Sequence, residues 1–219
     1  MTTDSSTTAH AYLSAARSAA ALVADPAVVA AWPAPSALAE MSVGGLAAHL
    51  ANQVISVARV LEAGDPDGED VEEVTLIEHY ARARWLGADL DNESNVAIRT
   101  GSESTAGGGP AHIAAAASEA LDILSARLRA EPSARRVRMP AGRWSLTLDD
   151  FLVTRMMEIA VHSDDLAASV HIPTPELPES VIVPVLELLV RLSVRRHGPT
   201  PVLRALSRKE RAPQTISAL

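Results

Sequence analysis

The sequence predicts an all-α protein, a closely packed helical bundle followed by a helical extension, and three observations carry that expectation. Hydrophobic residues make up 47% of the 219, enough to bury a sizeable core. Alanine dominates the apolar set, whereas only three Trp, two Tyr and one Phe are present. Alanine has the best intrinsic helix propensity, and its small side chain lets helices approach closely. Finally, the long segments between prolines and capping residues repeat their apolar positions at helical spacing.

Taken in order, the first helix is expected from about Thr8 to Ala24, stopping ahead of Pro26 because the residue before a proline is pushed out of the helical region. The connection Ala31-Trp32-Pro33-Ala34-Pro35 follows. Ser42 is a good N-cap for a second helix reaching about Ala63, and Gly64-Asp65-Pro66-Asp67-Gly68 supplies turn chemistry behind it. A third helix is read from about Val71 to Leu90. Asp91 to Pro110, polar and ending in Gly107-Gly108-Gly109-Pro110, reads as a mobile loop with at most a fraying helical turn. Helical spacing resumes from Ala111 to Ala130 and closes at Glu131-Pro132. Val137-Arg138-Met139-Pro140 and Arg143-Trp144-Ser145-Leu146 alternate around Ala141-Gly142, a weak signal for a short β-hairpin. Thr147 then caps a long helix through about Ser169, with Asp149 and Asp150 favoured in its first turn by the helix dipole. Pro173, Pro175 and Pro178 divide a bundle, residues 1–172, from an extension, 173–219. The extension is expected to hold a helix from about Glu179, or from Pro184 in its first turn, to near His197, and a shorter one from about Pro201.

The net charge is −8. No basic stripe with interleaved aromatics runs through the body of the chain, so nucleic acid is not an expected partner. The basic concentration from Arg191 to Arg211 is explained by a solvated helix face. There are no cysteines. Disulfides and protein thiolates are therefore excluded, and any sulfur nucleophile must arrive on a small molecule. Met1 to Thr8 lacks the pattern of a signal peptide, and no apolar run reaches membrane-span length. The expectation is a cytoplasmic protein with no membrane partner, a monomer or homodimer.

One strip of residues demands chemistry. On the helix that starts at Thr147, with Glu158 set at zero, Phe151, Leu148, Leu166, Ile159 and Leu152 span an arc from about 20° to 120°. Arg155, Glu158, His162 and Asp165 fall between about −20° and 60°, overlapping the buried face instead of opposing it. Ionisable groups are expensive to bury unless paired or bound to a metal. Glu158 and His162, four residues apart, neighbour each other and suit a shared divalent cation, zinc by preference. Arg155 and Asp165 are placed to hold a ligand carboxylate or orient a histidine ring. On the helix from Ser42, His49 sits at the margin of the apolar face with Gln53 at about 40° beside it, a third ligand if the two helices face one another. Three protein ligands leave positions open, the arrangement of a catalytic zinc. The same residues also admit plainer readings: an ordinary helix pair, a hydrogen-bonded core histidine, or a buried network serving stability alone. His10, His79, His112, His171 and His197 lack a comparable partner and read as ordinary. Asp164 points away from the strip into solvent, and Trp32, Trp85 and Trp144 read as packing at element ends.

Two stretches resemble a known family. Ser42-Val43-Gly44-Gly45-Leu46-Ala47-Ala48-His49-Leu50 is similar to the segment bearing the first metal ligand of the mycothiol-dependent maleylpyruvate isomerases. Phe151 to Leu166, with Arg155, Glu158, His162 and Asp165-Leu166 at the expected spacing, resembles their second signature. The resemblance covers roughly the first 170 residues. It implies a DinB-like four-helix bundle in which His49, Glu158 and His162 bind the metal and a water completes the site. It further implies a thiol cosubstrate, mycothiol or a similar small thiol, activated by the metal and offered to a small electrophile. In the isomerase the thiolate adds to a conjugated double bond, permits rotation and leaves; related bundles transfer the thiol permanently. Residues after His171 match none of the functional residues in the isomerase's C-terminal domain. The expected function is accordingly a metal-dependent S-transferase or isomerase of the thiol-cofactor class, with a non-catalytic metal- or ligand-binding regulatory bundle as the alternative.

Overall fold

The computed structural model describes residues 5–63, 71–83, 89–139 and 142–219. The turn read at Gly64 to Gly68, Trp85 and the hairpin residues Pro140 and Ala141 lie outside the described residues. Helix α1 runs Ser5–Val23. Pro26 ends it but also opens an unexpected short helix, α2, Pro26–Ala30, whose N-cap Asp25 accepts from the Ala27 amide. A proline in the first helical turn lacks only an amide that would have no intrahelical partner. Helix α3, Val43–Glu62, is capped as expected by Ser42, whose hydroxyl accepts from Gly45 N–H.

The third expected helix is corrected. Glu72–Glu73 forms strand β1, and helix α4 covers only Leu76–Arg82. Thr75 and Glu78 make a full capping box at its start, so the chain upstream of Thr75 is extended. The loop expected between Asp91 and Pro110 is also corrected: Glu93–Ala106 is helix α5, capped by Asn92. Helix α6 follows at Pro110–Arg127, continued by a 3-10 turn at Leu128–Ala130. Strands β2, Arg136–Arg138, and β3, Trp144–Thr147, pair antiparallel as the hairpin signal suggested. β1 adds to β3 in parallel, giving a three-stranded sheet in the order β1-β3-β2. Thr147 caps α7, Leu148–Ser169, by accepting from Asp150 N–H. Helix α8, Glu179–His197, carries Pro184 inside its first two turns, and α9 spans Pro199–Ser207.

Helices α1, α3, α6 and α7 pack as a four-helix bundle. Ala15, Ala16, Ala19 and Ala47 are fully buried between them, which is how an alanine-rich sequence brings helix axes close. Leu13, Leu46, Leu50, Leu124, Leu152 and Met156 fill the remaining interior. Helix α5 lies against α3, and α8 lies across α7 and α1, adding Val181, Val185, Leu188 and Leu192 to the same apolar cluster. The chain end returns onto α8, where Ser193 Oγ donates to the Ile216 carbonyl at 2.7 Å. Among the described residues no helix is long and apolar enough to cross a membrane. For function, the consequential outcome is that α3 and α7 face one another, with α5 and the sheet flanking the contact.

Candidate metal centre

His49 rises from the second turn of α3, where Ser42 and two glycines start the helix. Glu158 and His162 come from the middle of α7, one turn apart on its inner face. Their ligand atoms, one from each residue, all lie within 4.8 Å of one another. Glu158 Oε2 stands 3.1 Å from His162 Nε2 and 4.0 Å from His49 Nε2. The two imidazoles meet edge to face, centroids 4.7 Å apart and planes at 88°. Zinc bonds of about 2.0–2.1 Å in a tetrahedron separate ligand atoms by about 3.4 Å. The observed 3.1 and 4.0 Å straddle that edge, so two nitrogens and a carboxylate oxygen fit around one such ion with small adjustments. The side chains of His49, Glu158 and His162 keep 17%, 13% and 17% exposure, so the cluster is sunk in the bundle but still reached by solvent.

The residues expected to support this trio sit where that role requires. Asp165 Oδ2 is 3.0 Å from His162 Nδ1, leaving Nε2 for the Glu158 side. Arg155 Nη1 donates to Gln53 Oε1 at 2.7 Å, and Arg155 Nε donates to Thr154 Oγ1 at 3.0 Å. Gln53 Nε2 donates to the His49 carbonyl at 2.9 Å and lies 3.3 Å from His49 Nε2. One network therefore joins His49, Gln53 and Arg155 across the two helices. Burial alone would raise the Glu158 pKa. The hydrogen bond from His162, with the charges of His162 and Arg155, reverses that and holds it far below the ordinary carboxylate range. Burial likewise works against a charged His162, but hydrogen bonds to Asp165 and Glu158 prevail and push it up to about 9.

Sequence reading missed several participants. Ser102, buried on α5, places its hydroxyl 3.4 Å from His49 Nδ1. Tyr12 on α1 is fully buried and donates to the Gln53 carbonyl at 3.0 Å, tying a third helix to the site; burial drives its pKa far up. His79, read as ordinary, is buried and accepts from Trp144 Nε1–H at 3.1 Å. Burial first, then the Arg155 charge, lowers its pKa to about 4, so it is a neutral ring. Trp144, read as end packing, thus bonds a histidine through the sheet flanking α7. Trp32 donates to the Ala106 carbonyl at 3.2 Å and holds α5 down. Among the other histidines, His112 and His171 are exposed and His197 meets the Ser217 carbonyl at 2.8 Å, all outside the cluster. Asp164 is exposed as expected and accepts from Thr174 Oγ1.

Against known proteins, residues 12–167 match the family model described as the mycothiol maleylpyruvate isomerase N-terminal domain. The match takes in all three residues of the cluster and every residue of its supporting network. No curated protein and no solved structure matches this chain.

Proposed function

The chain belongs to the mycothiol maleylpyruvate isomerase N-terminal domain family, and from that premise we propose that it is a metal-dependent enzyme of thiol-cofactor chemistry. In this reading it is an S-transferase or isomerase that joins mycothiol, or a similar low-molecular-weight thiol, to a small electrophile. The observation that carries it is the convergence of ligand atoms of His49, Glu158 and His162 to within 4.8 Å on two facing helices, with each side chain still partly exposed. Two imidazoles and a carboxylate favour zinc over the hard cations, which take all-oxygen sites.

Zinc bound here would lower the pKa of a coordinated thiol and keep it as thiolate near neutral pH. The chain's own residues supply the rest. Glu158 brings the negative charge that two neutral imidazoles lack. Asp165 fixes the His162 ring, and Arg155 through Gln53 fixes His49. Since the protein has no cysteine, no protein thiol competes with the cosubstrate thiol. Residues 1–172 form the metal-binding unit in this proposal, and 173–219 extend and cover it. The cytoplasm, where small thiols are kept reduced, is the compartment that suits this chemistry.

The first experiment is metal analysis of the purified protein beside His49→Ala and His162→Ala. The expected result is near-stoichiometric zinc in the wild type and loss of most of it in each variant; wild-type zinc in both variants rejects the site. The metal-loaded protein is then incubated with mycothiol and a panel of electrophiles, and adducts or isomerised products are followed by mass spectrometry and chromatography. Full metal occupancy without turnover of any pair would favour a regulatory, ligand-binding bundle.

A further inference from the structure

Helix α5 hides its purpose in the sequence, since it is polar and buries only Ser102 and Ala106 among its residues. Ser102 faces His49 Nδ1 at 3.4 Å, on the side of the ring away from Glu158. We propose that Ser102 is a positioning residue that holds His49 with its proton on Nδ1 and its Nε2 lone pair turned toward Glu158 and His162. The consequence for metal binding rests on the reading above, whereas the tautomer itself does not.

The proton can be placed by following donors across the network. A guanidinium only donates, so the Gln53 atom 2.7 Å from Arg155 Nη1 is its oxygen. The Gln53 amide nitrogen therefore faces His49, where it donates to the carbonyl at 2.9 Å and stands 3.3 Å from Nε2. An amide nitrogen offers hydrogens and accepts none. In the neutral ring Nε2 must then be the acceptor, and the proton sits on Nδ1, facing Ser102 Oγ. That is also the tautomer a metal at Nε2 requires, and the partner of the far nitrogen is what sets it.

Ser102 is delivered there by a clamp at the neighbouring position. Glu103 accepts from Ser42 N–H at 2.6 Å and from Ser42 Oγ at 2.9 Å, fastening α5 to the start of α3. Gly45 makes room for that carboxylate: a Cβ there would lie 2.3 Å from Glu103 Oε1. Trp32 adds its bond to the Ala106 carbonyl, a second tie one turn beyond Ser102.

The test uses the full chain. In metal-free protein, nitrogen-15 NMR of the wild-type His49 ring is expected to show a protonated Nδ1 and an unprotonated Nε2. Ser102→Ala is expected to shift that ring toward a mixture of tautomers and to weaken zinc binding, read by chelator competition, about 10- to 100-fold. Ser102→Thr, which keeps the hydroxyl, is expected to recover most of both, and the melting temperature reports any general loss of fold. Unchanged tautomer and unchanged zinc affinity in a folded Ser102→Ala overturn the inference. If the wild type takes no zinc at all, the metal-centre reading falls, and the NMR comparison still decides the role of Ser102.

Discussion

His162 lies between two carboxylates, Asp165 on one nitrogen and Glu158 on the other, and that placement has a measurable consequence. In the metal-free protein the pair holds its pKa up at about 9, above the ordinary 6.5. A raised histidine stabilises the fold fully below pH 6.5, and that contribution is lost as pH rises through about 9. A metal ligand must be the neutral ring, so zinc has to displace this proton. Zinc affinity is therefore expected to climb about tenfold per pH unit up to about pH 9, with about one proton released per ion. Calorimetry in buffers of different ionisation enthalpy measures that release; no release below pH 8 would mean that His162 is not a ligand. Asp165→Asn should lower the His162 pKa and, by loosening the ring, weaken zinc about 10- to 100-fold. The site's central residues were legible because polar groups intruding on an apolar helical arc are visible at helical spacing. Ser102, Tyr12 and the His79–Trp144 pair were not. Ser102 and Tyr12 reach the network, and His79 reaches Trp144, from distant elements, and a single buried polar residue leaves no periodic trace.

At the scale of elements, the long capped helices declared themselves: Ser42, Thr147 and the prolines set boundaries that the structure keeps. The errors fell where one local signal was outweighed by another. Val71 to Leu90 carries helix-compatible residues throughout, yet Thr75 and Glu78 three positions apart form a capping box, which means that a helix starts at Leu76 and not before it. The extended residues upstream instead pair with β3, a contact across 72 positions that no local pattern announces. Helix α5 was missed because it lacks an apolar stripe; its place is fixed by tertiary bonds, Glu103 to Ser42 and Trp32 to Ala106. This gives an element-scale prediction. Gly45→Ala puts a methyl where the Glu103 carboxylate sits, and forces that side chain off Ser42. Faster amide hydrogen exchange over residues 93–106 is expected, with zinc affinity reduced several-fold and the α1, α6 and α7 amides still protected. Unaltered exchange in α5 would show that the Glu103 contact does not hold the helix.

Across the whole molecule, the bundle and the extension share one interior. Val181, Val185, Leu188 and Leu192 of α8 are at most 2% exposed and join the cluster that contains Met156 and Ile159 of α7. Helix α7, which carries two of the three candidate ligands, is thus packed by residues beyond position 172, even though the family match ends at residue 167. Prolines at 173, 175 and 178 suggest a seam to anyone reading the sequence, but a seam in the backbone need not be a seam in the packing. If the interior is continuous, damage in α8 must be felt at the site. Leu188→Ala removes a buried side chain and is expected to cost about 2–5 kcal/mol, a large share of the usual net stability. Denaturant unfolding followed by Trp fluorescence should then move to lower midpoint. Release of bound zinc should move with it, because one cooperative unit loses its metal and its tryptophan burial in one transition. Two separated transitions, with zinc retained after α8 has unfolded, would show instead that residues 1–172 hold the metal without help from the extension.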